Sequence, residues 1–262
     1  MSDRITTDLT DGVHTVTMDQ PERDNPLRRA EYRAIHDAFR AARDGDARCV
    51  LLRGAGDAFS SGFDVEAMDP AHAAGSLPER VAAIRDNEQA LAQEVLTHPL
   101  PTVAAVDGPA IGDAAGFALA CDIPVASERA RIGFSHVRLG LGLDCGLSYT
   151  LSRRVGWATA VELAATGRIV DGETAAELGL VARTVPDESF AAHVDDLVTS
   201  IAGGPPVALR SIKAALLHGA DADLDAALDD EAYRQAVALD TDDHARAVAA
   251  LGSDDRPEFE GH

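Results

Sequence analysis

Three glycine-containing turns and one acid in an apolar run are the stretches of this chain best suited to chemistry. The turns are Phe59-Ser60-Ser61-Gly62-Phe63-Asp64, the run from Asp107 and Gly108 through Gly112 and Asp113 to Gly116, and Leu139-Gly140-Leu141-Gly142-Leu143-Asp144-Cys145-Gly146. Each follows a strand-like segment. Small residues at the start of a helix leave backbone N–H groups open to a ligand, at the positive end of the helix dipole. A second N–H from another loop completes a two-donor cradle for an oxyanion. By spacing alone such turns are more often structural punctuation. Asp144 is flanked by Leu141, Leu143 and Leu147. An apolar setting raises the pKa of a carboxyl group and makes it a better proton acceptor. The competing role is N-cap of a helix over 146–154, which local sequence alone favours. The two roles are compatible.

The elements that must position these turns are legible from periodicity. Short β-like runs cover 5–9 and 13–18, and a helix of period near 3.6 spans about 27–43, with Ile35, Ala38, Phe39 and Ala42 on one face. Residues 49–52 read as a buried strand. A long helix is expected over 78–98, with Val81, Ile84, Ala90, Leu91, Val95 and Leu96 as its apolar positions. Strand-like 102–106 leads through a Gly/Ala-rich turn into a helix over 114–121, and 123–127 and 131–134 repeat the short-strand pattern. After Pro186 the texture changes to four helices, over 189–202, 206–218, 224–239 and 242–251, with acids in several first turns. The expected fold class is α/β, with a core over 1–187 and a helical region over 188–262.

Bulk composition narrows the partners. The chain has 262 residues and 46% hydrophobic content, enough for one sizeable core. Its first ten residues hold no apolar run like a secretory signal, and no stretch reads as a membrane span, so a cytoplasmic protein is expected. Cys49, Cys121 and Cys145 are far apart and form no CxxC pair, so neither a disulfide framework nor a zinc ribbon is indicated. Lys+Arg number 23 against 44 Asp+Glu, a formal net charge of -21, and Lys213 is the only lysine. Such a field repels nucleic acid and anionic membrane. Adaptation to high salt fits the acid excess; a high-GC genome fits the scarcity of lysine equally well.

Several ordered motifs, taken together, resemble the crotonase (enoyl-CoA hydratase/isomerase) family. They are Val106-Asp107-Gly108-Pro109-Ala110-Ile111-Gly112, Ala118-Leu119-Ala120-Cys121-Asp122-Ile123 and Ala126-Ser127-Glu128-Arg129-Ala130-Arg131-Ile132-Gly133. Upstream, Ala58 to Asp64 and Gln20 to Leu27 agree, as does the tail from Thr241-Asp242-Asp243-His244 through Arg256-Pro257-Glu258-Phe259. The resemblance runs from about Ile5 to Phe259. It implies a crotonase-like spiral of ββα units with an α-helical C-terminal region that closes the acyl pocket and assembles trimers or dimers of trimers. It also implies acyl-CoA substrates and no metal or redox cofactor, coenzyme A being part of the substrate. The amides of Phe63 and Asp113 would form the oxyanion hole. Ser61, Gly62, Gly112, His136 and the backbone at Asp64 and Val65 would bind substrate, the last two at the adenine, with Arg23 among the CoA contacts.

Where the family's hydratases carry two glutamates, this chain has Gly116 and His136. Asp144 matches the aspartate of isomerase branches, including dienoyl-CoA isomerases and isomerases of phenylacetate breakdown. A double-bond shift needs one base that removes a proton and returns it at another carbon. The reading is an acyl-CoA isomerase with Asp144 as proton shuttle; the alternatives are a hydratase using Asp144 with His136, and a catalytically silent acyl-CoA-binding member. The segment around Asp144 also resembles chlorobenzoyl-CoA dehalogenase, but that enzyme's tryptophan and histidine positions fall on His136 and Gln89, which ranks dehalogenation lower. Asp113 stands where glycine is usual, so its carboxylate must point away from developing negative charge. His136 reads equally as a relay or as a backbone-bonded residue, and Cys145 and Tyr149 read as core.

Overall fold

The structure is a computed structural model that describes residues 3–67, 75–252 and 257–262. Most of the alanine-rich segment 67–78 lies outside the described residues, as does Arg256 of the tail motif. The chain opens with β1 (Ile5–Thr10) and β2 (Val13–Met18), followed by α1 (Arg29–Asp44) and β3 (Cys49–Gly54). Next come α2 (Leu77–Ile84), α3 (Ala90–Leu96), β4 (Thr102–Val106), β5 (Pro109–Ile111) and α4 (Asp113–Ala120). Then follow β6 (Ile123–Ser127), β7 (Arg131–Gly133), α5 (Leu147–Val155), α6 (Trp157–Thr166), β8 (Ile169–Asp171), α7 (Gly172–Glu177) and β9 (Arg183–Val185). Four helices close the chain: α8 (Asp187–Ala202), α9 (Pro206–Gly219), α10 (Leu224–Leu239) and α11 (Asp242–Ala249).

Two sheets organise the core. The larger has the order β1-β2-β3-β4-β6-β9; β1 and β2 are antiparallel and the remaining neighbours are parallel. Its central strands are covered on both faces, so each needs apolar residues at every position. Val50, Leu52, Ala104 and Val106 face the cluster that contains α1, α3 and α4, while Cys49, Leu51, Val103 and Ala105 face the other side. That second face is sealed by Phe190, Val194, Val198 and Ala202, a single stripe along α8. The helical region expected from residue 188 therefore begins with a helix on which the core sheet depends. The smaller sheet, β5-β7-β8, carries the chain from β4 to the head of α4.

Three local departures from the periodicity bear on function. The first helix starts at Arg29, because Leu27 instead forms a parallel bridge with Phe63. The single helix expected over 78–98 is interrupted by a π-helical turn at Arg85–Gln89, between α2 and α3. Tyr149, expected in the core, is 40% exposed with the Arg153 guanidinium over its ring at 3.6 Å. Cys145 is buried, as its apolar neighbours predict.

Candidate active site

A cleft of about 720 Å³ opens between α1, the loop around Phe63, the head of α4 and the segment that precedes α5. Its lining brings together Ser61, Phe63, Val65, Gly112, Asp113, His136 and Asp144, seven residues singled out from sequence. Gly62 backs onto it: a Cβ there would sit 2.2 Å from the Ile111 carbonyl oxygen, and its φ of +87° suits only glycine without strain. All lining residues fall between Arg28 and Asp144, so within one chain the C-terminal helices expected to close the pocket do not line it.

The Phe63 loop is an extended strip clasped from both sides. Leu27 N–H donates to the Gly62 carbonyl (2.8 Å), and Asp64 N–H donates to the Leu27 carbonyl (2.8 Å). In a trans peptide the N–H points opposite to the preceding C=O, so the Phe63 N–H is turned away from Leu27. It has no acceptor among the described residues. Asp113 is the first residue of α4, and its N–H is among the first-turn donors that no helical carbonyl reaches. Gly112, at φ 59°, bends the chain into the helix while its own N–H donates to the Gly133 carbonyl (2.8 Å). Two uncommitted amides thus come from two loops onto one cleft, the Asp113 amide at the positive end of a buried helix.

Below this loop, Asp64 is buried and clasped by Arg23 and Arg28, with Arg28 Nε at 2.8 Å and Arg23 Nη1 at 3.2 Å. Burial opposes its ionisation, but the two guanidiniums hold the carboxyl below the usual aspartate range. Its amide goes to Leu27, and its carbonyl accepts the Ala67 N–H at 2.8 Å. The Asp64 N–H is thus spent on holding the loop, while its carbonyl, with one bond accepted, keeps a lone pair for the adenine contact expected of it. Arg23 likewise spends its guanidinium on Asp64 and Glu66, and lies off the cleft lining.

The Asp113 carboxylate is tied back by two groups. Tyr32, fully buried on α1, donates its hydroxyl to Oδ2 (2.7 Å), and the His136 Nε2–H meets Oδ1 at 3.1 Å. Tyr32 is steadied by edge-on packing against Phe117, with ring centroids 5.4 Å apart. His136 is held to one side by this bond, and its buried Nδ1 has no partner. A carboxylate at 113 is thus accommodated by pairing rather than by exposure. At Gly116 a Cβ would lie 2.7 Å from the Cys145 Cβ, so the packing leaves no room there for a glutamate.

Asp144 does not cap α5. Gly146 is the N-cap, and the Asp144 Oδ1 instead accepts the Cys145 N–H at 2.7 Å. Burial raises the Asp144 carboxyl above the ordinary aspartate value, with smaller opposing pulls from that amide and from the Gln89 side chain. A second acid was not foreseen: Glu88, on the π-helical turn, also lines the cleft. The signal was present, since Glu88 falls on the stripe Ile84-Glu88-Leu91-Val95 that the period marks as apolar. Tyr32 stands three residues before Ile35 on the apolar face of α1. What each touches was beyond local sequence.

The sheet order, the buried α4 and the cleft at its head are the architecture of the crotonase-type α/β enzymes. The structure of a putative enoyl-CoA hydratase from Streptomyces coelicolor A3(2) superposes with a TM-score of 0.93 at 30% identity, covering 100% of this chain and 96% of that one. The enoyl-CoA hydratase/isomerase family model matches residues 8–262, and this chain belongs to that family. It is similar to a probable enoyl-CoA hydratase of Rhodobacter capsulatus (34% identical over 97% of this chain and 96% of the relative). It is also similar to the 1,2-epoxyphenylacetyl-CoA isomerase of Escherichia coli (31% identical over 100% of both). Among the described residues, no helix is long and apolar enough to cross a membrane.

Proposed function

We propose that this enzyme isomerises an acyl-CoA thioester, shifting a double bond through an enolate, with Asp144 as the base. The observation that carries the reading is that Asp144 shares one cleft with two uncommitted main-chain amides, those of Phe63 and Asp113. The amides donate to the thioester oxygen, and these bonds gain strength as it becomes an enolate; removing one such donor typically costs about 10²–10³ in rate. A carboxyl held above the usual aspartate range is a stronger base once ionised, which suits removal of a proton next to a thioester. Ser61, Gly62 and Gly112 shape the approach to this cradle, and Val65, 63% exposed beside it, together with the Asp64 carbonyl would meet the nucleotide end of the substrate. The chemistry asks for no metal or redox cofactor, since coenzyme A enters as part of the substrate.

The test is to supply 3-enoyl-CoA and crotonyl-CoA in ¹⁸O-labelled water. Conversion of the first to the 2-enoyl isomer without label supports isomerisation; efficient labelled hydration of crotonyl-CoA overturns it. One observation favours the hydratase alternative: His136, oriented by Asp113 and with Nδ1 unpartnered, is a base in the same cleft. Assembly into a homotrimer or a dimer of trimers belongs to the same proposal. Leu216, Leu224, Tyr233 and Leu251 of the C-terminal region are each more than 70% exposed, a density of apolar surface suited to a subunit contact. Mass measurement by light scattering decides it.

A further inference from the structure

Six acids of the described chain are buried, and five of them have close partners. Glu31 accepts the Arg28 N–H at 3.0 Å, Asp64 has Arg23 and Arg28, and Glu94 meets Arg43 at 2.5 Å. Asp113 has Tyr32 and His136, and Asp243 accepts the N–H groups of Glu260 and Gly261, each at 2.8 Å. Glu88 is the exception. It is 6% exposed, its Oε1 comes no nearer to a cation than 3.9 Å from Arg29 Nε, and its Oε2 is buried without a hydrogen bond.

A buried carboxylate with one oxygen unbonded and its only cation this distant is unfavourable unless it holds a proton. The chain nonetheless places this one on a π-helical turn, an irregularity that recurs at functional sites, and turns it into the cleft that contains Asp144 and Asp113. Burial raises the Glu88 carboxyl above the ordinary glutamate value. Negative charge on Asp144 and Asp113 pushes the same way, against its own amide and Arg29. These groups, with His136 across the cleft, are the charges that face it.

We propose that Glu88 is a second catalytic carboxyl, protonated in the resting enzyme, which donates to the substrate carbon that Asp144 does not serve. The inference rests on the isomerase reading and replaces its single shuttle by two groups. Ionised Asp144 takes a proton from C2 of a 3-enoyl thioester, and the C–H electron pair passes onto the thioester oxygen as a dienolate. The carbonyl then re-forms, C2=C3 forms, and the C3=C4 π pair bonds the Glu88 proton at C4. Glu88 is left ionised and Asp144 protonated; one proton passed from Asp144 to Glu88, directly or through solvent, resets the pair.

The experiment follows deuterium from D₂O into 3-enoyl-CoA by NMR for the wild type, Glu88→Gln and Asp144→Asn. Wild type is expected to convert the substrate with deuterium at C4. In Glu88→Gln, exchange at C2 of unconverted substrate persists while conversion falls by about 10²-fold, the usual scale for losing one acid–base group. Melting temperature and acyl-CoA affinity are measured alongside, and Glu88→Asp should recover part of the rate. Wild-type conversion by Glu88→Gln, or loss of C2 exchange together with conversion, overturns the role of Glu88 and leaves the isomerase reading standing. Persistent C2 exchange in Asp144→Asn overturns the isomerase reading itself, and a wild type that neither exchanges nor converts overturns both.

Discussion

Asp64, buried in the Phe63 loop, and Asp144, in the lining of the cleft, are held in opposite states. Asp64 is the more deeply buried, yet two guanidiniums keep it below the usual aspartate range. Asp144 is half-buried, has an amide and the Gln89 side chain for partners, and is raised. Burial by itself therefore does not set protonation; the number and charge of the partners do. The consequence is a division of labour. The Asp64 clasp fixes the loop and leaves the Phe63 amide free, while the cleft keeps its carboxyl groups under-partnered, the state that the proposed proton transfers require.

The largest expected effect comes from removing the under-partnered side. Asp144→Asn should lower kcat by about 10²–10⁴-fold, with acyl-CoA affinity nearly unchanged in titration calorimetry. The wild-type pH–rate profile should show its acid limb above the ordinary aspartate range, because the base must be ionised.

Next, Tyr32→Phe removes the donor to Asp113 Oδ2 and leaves that oxygen buried without a partner. Stability should fall by about 1–3 kcal/mol in denaturant melts. Activity should fall with it as the freed carboxylate competes for the adjacent cradle.

The stability signs of the two regions should also be opposite. A carboxyl whose folded pKa is lowered stabilises the fold above its unfolded pKa, and that contribution is lost as pH falls through the folded value. This is the case of Asp64, so Asp64→Asn should lower the Tm at neutral pH and have less effect at acid pH. A raised carboxyl does the reverse: above its unfolded pKa the fold bears a penalty, by ionising the buried group or by keeping its proton, and the penalty disappears as pH falls to the unfolded value. Glu88→Gln and Asp144→Asn should therefore raise the Tm near neutrality, by a few degrees at most. A Tm unchanged in all three variants would remove the contrast.

The smallest effect is global. At a net charge of -21, raising salt from about 0.1 M to about 2 M should raise the Tm by screening repulsion among surface acids. A melt indifferent to molar salt would end the high-salt reading of the composition.

Much of the framework was legible because it rests on local chemistry. The strands at 13–18, 49–52 and 102–106 and the helices after Pro186 follow from hydrophobic period, and they appear with boundaries shifted by a few residues. The three glycine turns and Asp144 were found by residue type and meet in one cleft. Of the departures, one is long-range and two are local competitions. Leu27 reads as the start of a helix, but its pairing with Phe63 is non-local. Asp144 reads as a cap until Gly146 takes that place. Tyr149 reads as core, but its face of the helix is exposed and Arg153, one turn on, covers its ring.

The order of residues by itself determined which segments are strands and helices, where small residues open the backbone, and that Asp144 sits among leucines. Period and residue size act over a few positions and need no knowledge of the rest of the chain. Tertiary structure alone decided that Tyr32, from 81 positions away, ties back Asp113, that Cys145 excludes a side chain at Gly116, and that Glu88 turns into the cleft with its Oε2 unbonded. A carboxyl's protonation is set by desolvation and by charges a few ångströms away, and those distances exist only once distant segments are packed together.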